Sequence, residues 1–260
     1  MAGLLLGAGA VVGLGVGSFL NVVIWRVPRG ESVVRPGSHC PACGCAIRPM
    51  DNVPVLSWLV LRGRCRDCGA AISPQYVIVE VLTALLFALT VLRFGLSWET
   101  PAFLYLAAVG VALAVIDLRV RRLPNALTLP SYAVGLLLLS FAAAAHHEPG
   151  RMATAAASMA ACYALFYTLM LVKPGGMGFG DVKLVGVLGL YLGYLGVSSV
   201  VLGIFLAFLF GGGMAVVLLI ARRVGRKAAI PFGPALIGGT LVAVFAGTPL
   251  IHFYTTHLLA

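Results

Sequence analysis

Two carboxylates stand where carboxylates are costly. Asp117 closes an apolar run in "AVIDLRVRRLPNALTLP", and Asp181 opens another in "GGMGFGDVKLVG". Two such groups brought together resist ionising at once and share a proton. One can then take a proton from water while the other, protonated, polarises a carbonyl. That is the chemistry of amide hydrolysis without a covalent intermediate. Gly178 and Gly180 leave the backbone beside Asp181 uncovered, so an extended substrate can approach and the chain can adopt positive φ. Each residue also has an ordinary reading. Asp181 can cap a helix, Asp117 can pair with Arg119 or Arg121, and the two glycines can form a plain turn.

A second constellation is sulfur. "CPACG" and "CRDCG" supply Cys40, Cys43, Cys65 and Cys68 as two CxxC pairs with 21 residues between them. Four thiolates at this spacing suit one tetrahedral Zn²⁺, and Gly44 and Gly69 permit the tight turn each pair needs. A closed Cys₄ set leaves no open position, so the zinc is expected to be structural. Two disulfides are the competing reading, disfavoured in a reducing compartment. Cys45, in "CGCAI", offers an alternative to Cys43. Cys162 lies in an apolar run and reads as a small packing residue.

These residues sit in a chain that is 61% hydrophobic and 10% charged, far from the roughly one-quarter charged of soluble domains. The fold class expected is an all-α integral membrane protein with about eight transmembrane helices, near 2–25, 77–95, 101–117, 125–145, 153–172, 182–195, 197–220 and 232–256. The sixth is short and runs straight into the seventh. The first reads as a retained span, because its positive charge follows the apolar run. The chain divides into a first helix (1–25), a polar four-cysteine insert (26–74) and a membrane core (75–260), with no clear internal repeat.

All but Arg93 and Arg151 of the 18 basic residues fall on one face of this topology. That bias places the insert and the basic loops in the cytoplasm and both termini outside. The net charge of +10 then needs no nucleic acid; topology and attraction to anionic lipid account for it. By the same topology Asp117 and Asp181 lie at one depth, near the cytoplasmic face. Glu80, near the start of the second span, can attract a cationic partner, snorkel, or pair with a loop arginine. Lys183 can tune the field at Asp181 or anchor the helix end.

Rival chemistries lack their residues. In "HHEPG" no second histidine follows the glutamate as an HExxH site requires, and Pro149 interrupts it, and neither GxSxG nor a Walker motif is present. Ser18 after Gly17 reads as a small packing residue. Intramembrane carboxylates also occur in proton-coupled transporters, but those sites favour the bilayer midplane. A zinc module serving as a docking scaffold is a third reading.

Taken with "GSFLNVVIWRVP", "DNVPVLSWLVLRGRCRDCGAAIS" and "PFGPALIGG", these motifs resemble, in order and over most of the length, the bacterial type IV prepilin peptidases, GxGD-type aspartic membrane proteases. The resemblance implies that Asp117 and Asp181 are the catalytic pair and that the four cysteines hold zinc. It implies as substrate the basic leader of a prepilin or pseudopilin, cut after a glycine at the cytoplasmic side of the inner membrane. Many members then methylate the new amino group with S-adenosylmethionine, an activity tied to the N-terminal half. The family's Arg-Tyr-Pro run reads "SPQYVIVE" here, with Gln75 in place of the arginine and Glu80 still aligned. The oligomeric state is left open.

Overall fold

The structure is a computed structural model and describes residues 2–173, 177–221 and 231–257. Gly175 and Gly176, the basic residues 222–227 expected in a cytoplasmic loop, and the last three residues lie outside that set. Among the described residues the chain is helical, with isolated antiparallel bridges in the insert and no strand. The helices are α1 (Ala2–Arg26), α2 (Leu56–Val60), α3 (Gln75–Phe94), α4 (Thr100–Val120), α5 (Asn125–Ala145), α6 (Pro149–Val172), α7 (Phe179–Leu195), α8 (Val197–Ile220) and α9 (Gly233–His257).

Among the described residues, six helices are long and apolar enough to cross a membrane: α1, α3, α4, α5, α6 and α8. Length and composition among the described residues thus support six of the eight expected spans. α7 has 17 residues, about 25 Å at the α-helical rise, against a hydrocarbon core of about 30 Å.

The chain forms two compact units, with α4 contributing to both. The first comprises residues 1–100 and 107–112. Its frame is the antiparallel α1–α3 pair, whose close approach is written in small residues four apart. A β-carbon at Gly13 would stand 2.6 Å from Ala84 Cα, and one at Gly17 would stand 2.7 Å from Glu80 Cα. One turn further, Asn21 Nδ2 reaches the Tyr76 carbonyl at 3.1 Å. Gly13, Gly17 and Asn21 thus form one seam ending at the polar insert.

The second unit holds residues 101–106 and 113–260. Its centre is α7, buried from Val182 to Tyr194 except at Lys183. A helix apolar on every side belongs in a core. Its glycines let neighbours in closely: a β-carbon at Gly193 would lie 2.9 Å from Ala155 Cα, and one at Gly189 would lie 2.9 Å from the Ser158 carbonyl. Tyr132 on α5 donates its hydroxyl to the Lys183 carbonyl at 2.6 Å, and Phe103 meets Tyr191 edge-on at 5.6 Å. Burial against α5, α6, α8 and α9 explains why α7 can be short.

Candidate active site and metal centre

In the second unit, Asp117 lies three residues before the end of α4, and Asp181 lies in the first turn of α7. Both are buried, with 5% and 9% of their surface exposed. Burying a charge this deeply requires partners. Each carboxylate has one at a helix N-terminus, where backbone N–H groups lack helical acceptors. Gly233, the first residue of α9, donates its N–H to Asp117 Oδ2 at 3.0 Å. Gly178, just before α7, donates to Asp181 Oδ2 at 3.2 Å.

The two sites adjoin. Leu123, in the short link between α4 and α5, packs against both glycines: a β-carbon at Gly180 would sit 3.1 Å from Leu123 Cβ, and one at Gly233 would sit 3.4 Å from Leu123 Cδ2. The Asp117 charge acts on Asp181 across this gap. Such a pair can share a proton and activate a water molecule.

Asp181 does satisfy the start of its own helix, but from the third helical position, with Gly178 as the cap residue. Asp117 takes the Gly233 amide; its link to Arg121 is the backbone bond from Arg121 N–H to the Asp117 carbonyl at 2.9 Å. Neither Gly178 nor Gly180 uses positive φ: Gly178 is extended at φ −80°, and Gly180 is helical. At Gly180 the absent side chain matters because Leu123 fills the space. Lys183 points to the start of α5, donating to Asn125 Oδ1 at 3.0 Å and lying 4.6 Å from the Phe179 ring centroid. The role of Gly233 was not legible beforehand, although "PFGP" supplies the glycine-then-proline that opens a helix.

The first unit contains the sulfur cluster. The ligand atoms of Cys40, Cys43, Cys65 and Cys68 all lie within 4.8 Å of one another, and Cys40 Sγ is 3.8 Å from Cys68 Sγ. Zinc–sulfur bonds of about 2.3 Å in a tetrahedron place sulfurs about 3.8 Å apart, so the set fits this ion. Cys43 stands in the cluster and Cys45 does not.

The reason is a local repeat that composition hides. "HCPACGCAI" (39–47) and "RCRDCGAAI" (64–72) fold alike. Gly44 N–H binds the Cys40 carbonyl at 2.8 Å and Gly69 N–H binds the Cys65 carbonyl at 3.0 Å, each glycine at φ 72°. The closing bonds match too, Cys40 N–H to the Cys45 carbonyl at 2.9 Å and Cys65 N–H to the Ala70 carbonyl at 2.8 Å. Cys45 thus occupies the position of Ala70. The backbone amides of Cys43 and Ala42 pull the Cys40 thiol down to about 7, which favours the thiolate a metal needs.

The insert is tied to the membrane helices at two points. Arg26, buried at the end of α1, donates to the carbonyls of Ser32 and Gly37. Glu80, buried on α3, accepts the Val55 N–H at 2.7 Å rather than pairing with a loop arginine. Val55 is the centre of a three-residue turn, with φ 61° and Leu56 N–H on the Pro54 carbonyl at 2.6 Å. For a β-branched residue this backbone is strained by about 1–3 kcal/mol. Farther out, Arg66 grips Asp51 through two nitrogens, which holds that carboxyl below its usual range.

Residues 11–94 match the Bacterial Peptidase A24 N-terminal domain, and residues 104–216 match the Type IV leader peptidase family. A prepilin leader peptidase/N-methyltransferase of Aeromonas hydrophila is 36% identical over 94% of this chain and 91% of its own length. Its counterpart in Pseudomonas aeruginosa is 33% identical over the same shares. A type 4 prepilin-like proteins leader peptide-processing enzyme of Escherichia coli is 37% identical, covering 90% of this chain and 91% of its own. No solved structure matches the chain.

Proposed function

Because the chain belongs to the type IV leader peptidase family, we propose that it removes the basic leader of a prepilin or pseudopilin and then N-methylates the new terminus. The observation that carries the peptidase reading is the placement of Asp117 and Asp181 beside two helix N-termini in one unit, each with an oxygen already fixed by an amide. A water held between the carboxylates loses a proton to the ionised one and attacks the scissile carbonyl. The protonated partner hydrogen-bonds the carbonyl oxygen, and the proton taken from water passes to the leaving amine. The Gly233 and Gly178 amides keep the carboxylates oriented throughout. Gly178, exposed before α7, offers open backbone to the extended leader–helix junction.

Such a substrate presents an apolar helix to lipid and a basic leader to the cytoplasm. The topology that suits it has eight helices embedded in the inner membrane, α7 and α9 being held by their neighbours, with both termini outside. The insert (26–74) and the active site then face the cytoplasm. The Cys₄ set would hold zinc as a structural ion that orders the insert, and S-adenosylmethionine would supply the methyl group. The family assignment leaves the transporter reading without support.

The test is mass spectrometry of a model prepilin mixed with membranes containing wild type, Asp117→Ala or Asp181→Ala, with S-adenosylmethionine present. Loss of the leader with wild type alone, together with one added methyl group, is the expected result. Uncut substrate with folded wild type and a suitable pilin would overturn the peptidase reading.

A further inference from the structure

The insert end of the α1–α3 seam holds polar groups that the peptidase chemistry does not use. Asn21 is buried, and its Nδ2 donates to two carbonyls, Gly17 at 3.3 Å and Tyr76 at 3.1 Å. Those bonds fix the orientation of the amide. Its Oδ1 is left buried with no partner among the described residues. Such an orphan acceptor is a rare and costly feature.

One turn along α3 from Tyr76 is Glu80, 7% exposed. Its Oε2 holds the Val55 amide, and the Ser18 hydroxyl stands beside the carboxylate. No basic side chain pairs with Glu80 among the described residues. A buried carboxylate without a cation is a deficit that a positively charged ligand would fill. Asn21 and Glu80 thus lie on facing turns at the end of two apolar helices, where Asn21 reaches the Tyr76 carbonyl and a β-carbon at Gly17 would stand 2.7 Å from Glu80 Cα.

We propose that this cluster of Asn21, Glu80 and Ser18 is the binding site for the N-terminal ammonium of the cleaved pilin, with Glu80 as its proton acceptor. The proposal rests on the N-methyltransferase part of the reading above. A primary ammonium is compact and has three donors, matching three oxygen acceptors. The mature pilin begins with its apolar helix, so its amine lies where spans meet the insert. Glu80 takes one proton from the ammonium and frees the nitrogen lone pair. That pair forms the N–CH₃ bond as the methyl–sulfur bond of a sulfonium donor breaks, its electrons staying on sulfur. The products are a methylated ammonium and a neutral thioether.

A purely structural Glu80 would need only an acceptor for the Val55 N–H, which a glutamine carbonyl also provides. The experiment uses full-length enzyme in lipid nanodiscs and a synthetic peptide of the mature pilin N-terminus, with its amine free or acetylated. Without methyl donor, wild type should bind the free amine about tenfold or more tighter, as expected for hydrogen bonds to a charged group. Glu80→Gln should lose that preference and the methylation, while keeping zinc content and leader cleavage. Equal binding of both peptides by wild type would overturn the proposal, however the variant folds. So would a Glu80→Gln enzyme that still discriminates and methylates. A wild type that cleaves but never methylates would instead reject the methyltransferase reading, and with it the proton-acceptor role.

Discussion

The Gly233 amide lies 3.0 Å from Asp117 Oδ2, and a β-carbon on Gly233 would stand 2.7 Å from that same oxygen. One residue therefore both holds the carboxylate and makes room for it. Any side chain at 233 must push Asp117 away from its amide.

Gly233→Ala is accordingly expected to lower leader cleavage by about 10²-fold, the scale of a displacement near 1 Å in an active site. Asp117 lies in the last turn of α4, so the thermal midpoint should move little. Cleavage at wild-type rate in the purified variant would mean that Asp117 does not need this position.

Asp117→Asn and Asp181→Asn should each abolish cleavage while leaving methylation of an already cleaved pilin intact. A paired-carboxylate mechanism requires both groups, and an amide cannot exchange the shared proton. The measurement is methyl incorporation into pre-processed pilin alongside leader removal from the precursor. Equal loss of both activities would argue for misfolding instead.

Two glycines of the GFGD motif should separate folding from substrate access. A β-carbon at Gly180 would meet Leu123 Cβ at 3.1 Å, whereas one at Gly178 would find only ordinary contact, 3.5 Å from Asp181 Oδ2. Gly180→Ala should therefore shift Asp181 and lower kcat. Gly178→Ala should fold normally and raise KM for the prepilin, because it covers backbone the substrate approaches. Unchanged KM in the second variant would remove Gly178 from the substrate path.

Zinc analysis distinguishes the thiols. Cys40→Ser should strip about one ion per chain and unfold the insert, because binding and folding of small metal modules are one process. Cys45→Ser should retain the metal, since Cys45 stands where the second half of the repeat has Ala70. Proton competition sets the direction with pH. The Cys40 thiol is depressed from 9.0 to about 7 in the folded insert. Its contribution to insert stability is therefore fully present above pH 9, fades as pH falls through about 7, and zinc release should accelerate below that. Metal content of wild type and both variants across pH checks all three statements.

The sequence by itself marked the membrane class and singled out the four-cysteine set and the two aspartates as candidates, because each leaves a mark in composition or spacing. Acid residues in an apolar chain and paired CxxC motifs are visible without coordinates. It also suggested eight spans with a short sixth, but hydropathy reads each segment alone and cannot see that α7 is buried along its length. Tertiary structure decided what depends on contact between distant residues. Gly233 stands 116 positions from the carboxylate it serves, and Asn21 reaches Tyr76, one turn from Glu80, where Gly13 and Gly17 let α1 and α3 close. Which of Cys43 and Cys45 joins the sulfur cluster likewise needed the folded repeat, where register rather than spacing decides it.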